Sequence, residues 1–187
     1  MDQHCIAEAR DEYELISFCE SLSRYRQRIS GRVGIITASG GHGVLTVDAC
    51  AGHGLQTPTF CEATQRKIYE RLSPSVQPIA SVGNPVDLTG SATDEDFLGA
   101  AIALSRSPEI ECILLLLLPY SPGISSDLGA RLSQVYQQEG KPIVAYVPHQ
   151  EKYRMLIEGF ELNRVPVSDT LEGAVLMVEA LRRCQPC

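Results

Sequence analysis

The chain has 187 residues, 44% of them hydrophobic, with a formal net charge of −7 and a pI near 5.1, which suits one domain with a substantial core. The acidic balance argues against nucleic acid or an anionic membrane as partner, since both reward clustered Lys and Arg. The longest continuous apolar run, Cys112–Leu118, falls far short of the roughly 20 residues that span a bilayer, and Met1-Asp2-Gln3-His4 opens no signal peptide, so a cytosolic protein is expected.

Taken in chain order, Tyr13, Ile16, Cys19 and Leu22 recur at helical spacing and predict a first helix within 9–27. A strand follows over Val33–Thr37, then a turn with three glycines, then a helix from Val44 to His53 that stops at Gly54 as its C′ residue. Leu55–Phe60 reads as a short second strand or an extended segment interrupted by Pro58, Glu62–Leu72 as a helix, and Ser73–Gly83 as a surface connection. Thr93 before Asp94, Glu95 and Asp96 is an N-cap with an acidic first turn, opening a helix that runs to Ser105. Beyond it come a strand over 112–118, a helix over 126–139, a strand over 143–147, a helix over 150–159, a strand over 165–167 and a helix over 169–183.

Strands alternating with helices require crossover connections, which give a parallel sheet covered on both faces. Near-uniform apolarity over Ile113–Leu118 marks a central strand buried on both sides. Five strands in the simplest doubly wound arrangement give the order 2-1-3-4-5, a flavodoxin-like three-layer sandwich. The loops leaving strand one and the 112–118 strand then meet at the switch point. One is Ser39–Gly43 and the other Pro119–Ser126, and both feed helix N-termini.

Gly40, Gly41 and Gly43 can take positive φ and let the backbone approach a ligand, while the unpaired N–H groups of the following turn point outward. Two positive helix ends aimed at one crevice can hold a dianion without a lysine. A tight βα turn with no ligand is the alternative reading. The turn is neither a Walker A loop, as no Lys-Ser or Lys-Thr follows, nor a G-x-G-x-x-G fingerprint. A phosphorelay receiver would need acidic residues after strand one and at the end of the third strand, where this chain has Thr37-Ala38-Ser39 and Leu118-Pro119.

Five segments occur together in order: Ser39-Gly40-Gly41-His42-Gly43-Val44-Leu45 with Asp48; Asn84-Pro85-Val86-Asp87-Leu88 with Gly90; the 112–118 strand followed by Ser121-Pro122-Gly123; Gly140-Lys141-Pro142-Ile143-Val144; and Asn163-Arg164-Val165-Pro166. This ordered set resembles the NDP-forming acyl-CoA synthetases, relatives of succinyl-CoA synthetase, over residues 12 to 183, and specifically their flavodoxin-like CoA-ligase domain. The resemblance implies a linker helix from a preceding domain over 1–30 and the CoA-ligase domain over 31–187. It implies a domain or small subunit of an acid–thiol ligase, in which a histidine on another domain is phosphorylated and carried to an ATP-grasp domain. By the same resemblance, the helix that follows Pro119–Ser125 would be the one whose N-terminus stabilises the phosphohistidine, with the Gly40–Gly43 and Asn84–Asp87 loops beside it.

The anion-binding residues expected on that basis are Ser39, Gly40, Gly41, His42, Gly43, Asn84, Asp87, Ser121, Gly123, Ile124, Ser125 and Ser126. His42 stands where the family usually has proline, so it reads as a loop residue or anion contact rather than the phosphoryl carrier. Ala38 stands where the pattern often has asparagine, and Asp87 reads first as fixing its turn. No carrier-histidine loop, no CoA-binding Rossmann unit and no ATP-grasp region is present in the sequence. The isolated chain is therefore expected to bind no cofactor and catalyse nothing alone, with CoA and ATP or ADP with Mg used by the complete enzyme and CoA-binding and ATP-grasp domains as partners. The alternative is a regulatory, acyl-CoA-sensing module of a synthetase-like protein lysine acetyltransferase. Of the seven cysteines, Cys19, Cys50 and Cys112 read as small core hydrophobes, and Cys184-Gln185-Pro186-Cys187 follows a helix without a second pair, so no metal site is expected. His4, His53 and His149 read as scattered surface residues.

Overall fold

The computed structural model describes residues 7–118, 122–148 and 151–183. The two strands richest in β-branched and aliphatic residues, β1 (Val33–Thr37) and β3 (Cys112–Leu116), lie side by side with every residue buried. β2 (Val86–Asp87) flanks β1, while β4 (Ile143–Tyr146) and β5 (Val167–Ser168) extend the other side, giving one parallel sheet in the order 2-1-3-4-5. The helices are α1 (Glu12–Arg24), α2 (Gly40–Gly52), α3 (Glu62–Tyr69), α4 (Asp94–Ser105), α5 (Leu128–Glu139), α6 (Arg154–Glu161, after a 3-10 turn at Glu151–Tyr153) and α7 (Leu171–Arg183).

Side-chain alternation along the strands divides the core. Ile36, Ile113 and Leu115 pack with Phe97 of α4, Leu132 of α5 and Phe160 of α6 on one face. Val33, Ile35, Leu114 and Leu116 pack with Cys50 of α2 and Val175 and Val178 of α7 on the other. The α1 helix lies outside α7, with Phe18 against Leu176 and Ala180, and the Tyr25 hydroxyl after it donates to the Ile143 carbonyl at 2.6 Å. The segment over 1–30 is thus packed, from residue 7 onward, into the same body as the sheet.

The second strand differs from the sequence reading. The backbone of the 55–60 segment pairs only through an isolated parallel bridge between Gln56 and Arg32, just before β1, and β2 comes instead from the Asn84–Leu88 segment. Pro58 lacks the N–H that a continuing ladder would need. The open edge of β1 is closed piecewise: Val33 N–H donates to the Gln56 carbonyl at 2.8 Å, Asn84 Nδ2 donates to the Val33 carbonyl at 2.8 Å, and Ile35 N–H donates to Asn84 Oδ1 at 3.0 Å. Past that point β2 takes over, and Leu88 N–H donates to the Thr37 carbonyl at 2.8 Å.

The α2 helix begins at Gly40, four residues before its predicted start, so Gly40, Gly41 and Gly43 form its first turn. None has positive φ; among the described glycines only Gly31, Gly54 and Gly140 do. Gly54 ends α2 as the spacing predicts, at φ +68°. Cys50 and Cys112 are core residues as read, but Cys19 is exposed. Cys5, Cys184, Cys187, His4 and His149 lie outside the described residues.

Candidate functional site

Strand register aligns the carboxyl ends of the strands into one row: Asp87, Thr37, Leu116, Tyr146 and Ser168. Paired residues of a parallel sheet point to the same face, which here is the face covered by α2 and α7. Ser39 caps α2 in an extended conformation, its N–H donating to Thr37 Oγ1 at 3.0 Å and the Thr37 hydroxyl donating to the Ser39 carbonyl at 3.1 Å. Ser39 Oγ lies 3.2 Å from His42 Nδ1, and the His42 ring stacks on Tyr146, with centroids 6.0 Å apart and planes at 28°. Burial, and then the charge of Asp169, push the Tyr146 phenol above its usual range, so it is a neutral hydroxyl at physiological pH.

Gly40 and Gly43 are there because of what approaches them. A Cβ on Gly43 would stand 3.2 Å from Pro85 Cβ and Cγ and 3.3 Å from Thr37 Cγ2, and one on Gly40 would stand 3.0 Å from Asp87 Oδ2. Gly41 is open, with Ser39 Oγ at 3.9 Å as its nearest neighbour. In a helix the N–H groups of Gly40, Gly41 and His42 have no intrahelical acceptor, and Gly40 and Gly41 are exposed. The Asp87 carboxylate beside Gly40 puts a negative charge at this positive helix end. Its Oδ1 also accepts from Thr89 N–H at 2.9 Å, the turn-fixing role read from the sequence.

The segment after β3 is organised by α4. Thr93 and Asp96 form a capping box, and burial, which raises the Asp96 carboxyl, is outweighed by donation from Ser73 and Thr93, which holds it below its usual value. Asp94 N–H donates to the Gly123 carbonyl at 3.2 Å, Ser125 N–H donates to Asp94 Oδ1 at 3.0 Å, and the Ser125 hydroxyl is bonded to the carboxylates of Asp94 and Asp127. Arg131 reaches Asp94 Oδ2 at 3.4 Å. A Cβ on Gly123 would lie 2.8 Å from the Ala92 carbonyl, so that glycine permits close packing of two loops. Ile124 packs against the core on the α4 side, and Ser126 is exposed.

The predicted residues therefore form two groups. Ser39, Gly40, Gly41, His42, Gly43 and Asp87 gather on the α2 side, while Gly123, Ile124, Ser125 and Ser126 are attached to the α4 side. Among the described residues no hydrogen bond joins the two; Ser121, Pro119 and Tyr120 lie outside them. The Asn84 amide is engaged by the sheet, its Nδ2 also donating to the Pro58 carbonyl at 3.0 Å. Thr37 and Tyr146, which complete the α2-side cluster, were not singled out in the sequence, where both look like ordinary strand residues; only strand register aligns them. Among the described residues no group of three or more His, Cys, Asp or Glu side chains is placed to hold a metal ion, and no helix is long and apolar enough to cross a membrane.

The sequence profile of the Ligase-CoA domain family matches residues 33–149, from the start of β1 past the end of β4. The chain belongs to this family. Among curated Ligase-CoA relatives, the alpha subunit of ADP-forming acetate–CoA ligase II from Pyrococcus furiosus is 30% identical over 177 residues, covering 90% of this chain and 36% of the relative. An ADP-forming acetate–CoA ligase I from Archaeoglobus fulgidus is 34% identical over 117 residues, 63% of this chain and 16% of the relative. The crystal structure of PH0766 from Pyrococcus horikoshii OT3 superimposes with a TM-score of 0.84 at 26% identity, covering 97% of this chain and 41% of that one. A dinucleotide-forming acetyl-coenzyme A synthetase 1 from Ca. Korarchaeum cryptofilum, at 21% identity, shares the fold with a TM-score of 0.83. This Ligase-CoA chain thus spans well under half the length of each of these proteins.

Proposed function

We propose that this chain is the CoA-ligase domain, or a small subunit, of an NDP-forming acyl-CoA synthetase. In this reading the N-terminus of α2, together with the Ser39–Gly43 turn and the Ser121–Ser126 segment, stabilises a phosphohistidine carried by a separate domain. The carrying observation is the family match over 33–149, because it includes the glycine turn at the carboxyl edge of the sheet. The phosphoryl group is a dianion, and the exposed N–H groups of Gly40 and Gly41 offer it donors at a positive helix end. His42, held by Ser39 and Tyr146, stands beside them. Asp87 opposes a dianion at Gly40, so the approach runs over Gly41 and His42.

The chain's own residues bind and orient in this scheme; the carrier histidine, CoA and the magnesium nucleotide belong to CoA-binding and ATP-grasp partners. Val44 and Leu45, on α2 just past the turn, are 61% and 60% exposed and offer an apolar contact to such a partner. The site of action proposed is the cytoplasm. The test is acyl-CoA formation from acetate, CoA and ATP, followed by thiol consumption, with this chain alone, with the complementary domains alone, and with both. Turnover is expected only when all are combined. Turnover by the chain alone, or equal turnover without it, would overturn the proposal, and acyl-CoA binding with no turnover in the full assembly would favour the regulatory module instead.

A further inference from the structure

The far end of α2 carries a charge cluster that the glycine turn does not use. Of the helix's 13 residues only Gly43, Thr46 and Cys50 are buried. Gly43 has no side chain, Thr46 and Cys50 are small, and Val47 and Ala49 are only partly buried against the core, so α2 buries little apolar area of its own. His53, the residue that ends α2, has Nδ1 2.7 Å from Glu179 Oε2 and Nε2 2.6 Å from Glu172 Oε1. An ionised carboxylate only accepts, so each ring nitrogen must donate, and a ring with two N–H groups is imidazolium. Glu172 and Glu179 are two turns apart on one face of α7, and the ring therefore joins the two helices at two points.

The surroundings fit a charge that comes and goes with pH. On α7, Glu179 is ion-paired with Arg182 at 3.8 Å and Arg183 at 3.6 Å, and Arg182 Nη2 also donates to the His53 carbonyl at 3.1 Å. From the α1 side, Arg10, Asp11 and Glu14 line the same cavity of about 540 Å³ as His53, with Arg10 paired to Glu14. On α2 itself, burial and then Glu172 push the Cys50 thiol up to about 12, so it adds no charge. Burial works against the imidazolium, but Glu172 and Glu179 outweigh it and hold His53 above its ordinary value of 6.5. The Glu172 side chain is 54% exposed and that of Glu179 only 5%, so the Nε2 arm is the one open to solvent.

We infer that His53 is a proton-operated latch between α2 and α7. Protonated, it fastens the C-terminal end of α2 to both carboxylates. On deprotonation the Nε2 proton passes to solvent, the Nδ1–H bond to Glu179 remains, and the bare Nε2 lone pair faces Glu172 and repels it. The helix that carries the glycine turn at its other end is then held at one point fewer. Because the folded-state pKa is raised, the latch is complete below the ordinary histidine value and is lost as pH rises through the raised one.

The test combines an NMR titration of the His53 ring with hydrogen exchange at the Cys50–Gly54 amides from about pH 6 to about pH 9, corrected for intrinsic rates, with α5 as internal control. The expected results are a His53 midpoint above 6.5 and a fall of about tenfold in protection of those amides across it, with α5 unchanged. Glu172→Gln, an exposed substitution that leaves the fold intact, should lower the midpoint and flatten the profile. A midpoint at or below the ordinary value, protection that does not follow the titration, or the same profile in Glu172→Gln would each overturn the latch.

Discussion

Asn84→Ala removes three hydrogen bonds at once: those from its amide to the Val33 and Pro58 carbonyls and the one it accepts from Ile35 N–H. All three partners are backbone groups, and the two on β1 lie ahead of β2, which pairs with β1 only from Ile36 onward. An orphaned buried group costs about 1–3 kcal/mol, and these bonds are only partly buried, so the lower figure applies and the sum is about 3 kcal/mol. For a domain of this size that lowers the melting temperature by about 6–12 °C. Asn84→Asp is the sharper probe. It keeps an acceptor for Ile35 but sets a carboxylate against two carbonyls, and it should lose at least as much. The assay is thermal and urea unfolding followed by circular dichroism, with coincidence of probes as the two-state check. If both variants stay within about 0.5 kcal/mol of the parent, Asn84 is not a sheet residue and the account of the β1 edge is wrong.

Three further outcomes follow from the same geometry. Glu111 accepts from the Ser30 hydroxyl at 2.6 Å and from the N–H groups of Ser30, Gly31 and Arg32 at 3.0, 3.2 and 3.2 Å. Burial raises its carboxyl, but the Ser30 and Arg32 donors outweigh that and hold it down to about 2. Its stabilisation is therefore present above the ordinary carboxylate value and lost as pH falls toward the depressed one, and Glu111→Gln should cost about 2 kcal/mol at neutral pH and converge on the parent in acid unfolding curves. A Cβ on Gly129 would clash with the Leu156 carbonyl across the α5–α6 contact, so Gly129→Ala should destabilise by about 2–3 kcal/mol in urea. Gly123→Val should likewise unfold early, because its Cβ would meet the Ala92 carbonyl at 2.8 Å, and a loss of function in that variant would report on packing rather than on a ligand.

Sheet order was legible because Val33–Thr37 and Cys112–Leu116 are apolar through and through, and alternation with helices leaves few topologies. The edge was harder. A two-residue strand has no periodicity to detect, and what marks β2 is Asn84, whose side chain substitutes for missing ladder bonds. The start of α2 was missed because three glycines have low helix propensity, and what favours glycine at 40 and 43 is Asp87 and Pro85, some forty residues on, which occupy the space a side chain there would need. His53 looked like a surface residue for the same reason, since both of its carboxylates come from α7. The glycine turn itself was visible, but Tyr146, which faces His42 across β3, becomes apparent only once the strands are in register.

The most direct measurement of the central claim is phosphohistidine formation in the complete assembly, comparing the parent chain with Gly41→Val. Gly41 is exposed at the first turn of α2 and a Cβ there would have Ser39 Oγ, at 3.9 Å, as its nearest neighbour from outside the helix backbone, so the variant should unfold like the parent. If the helix end stabilises the phosphoryl group as a preorganised anion site does, transfer should slow on the order of 10²-fold. An unchanged rate in the folded variant would contradict the account and remove the turn from the chemistry.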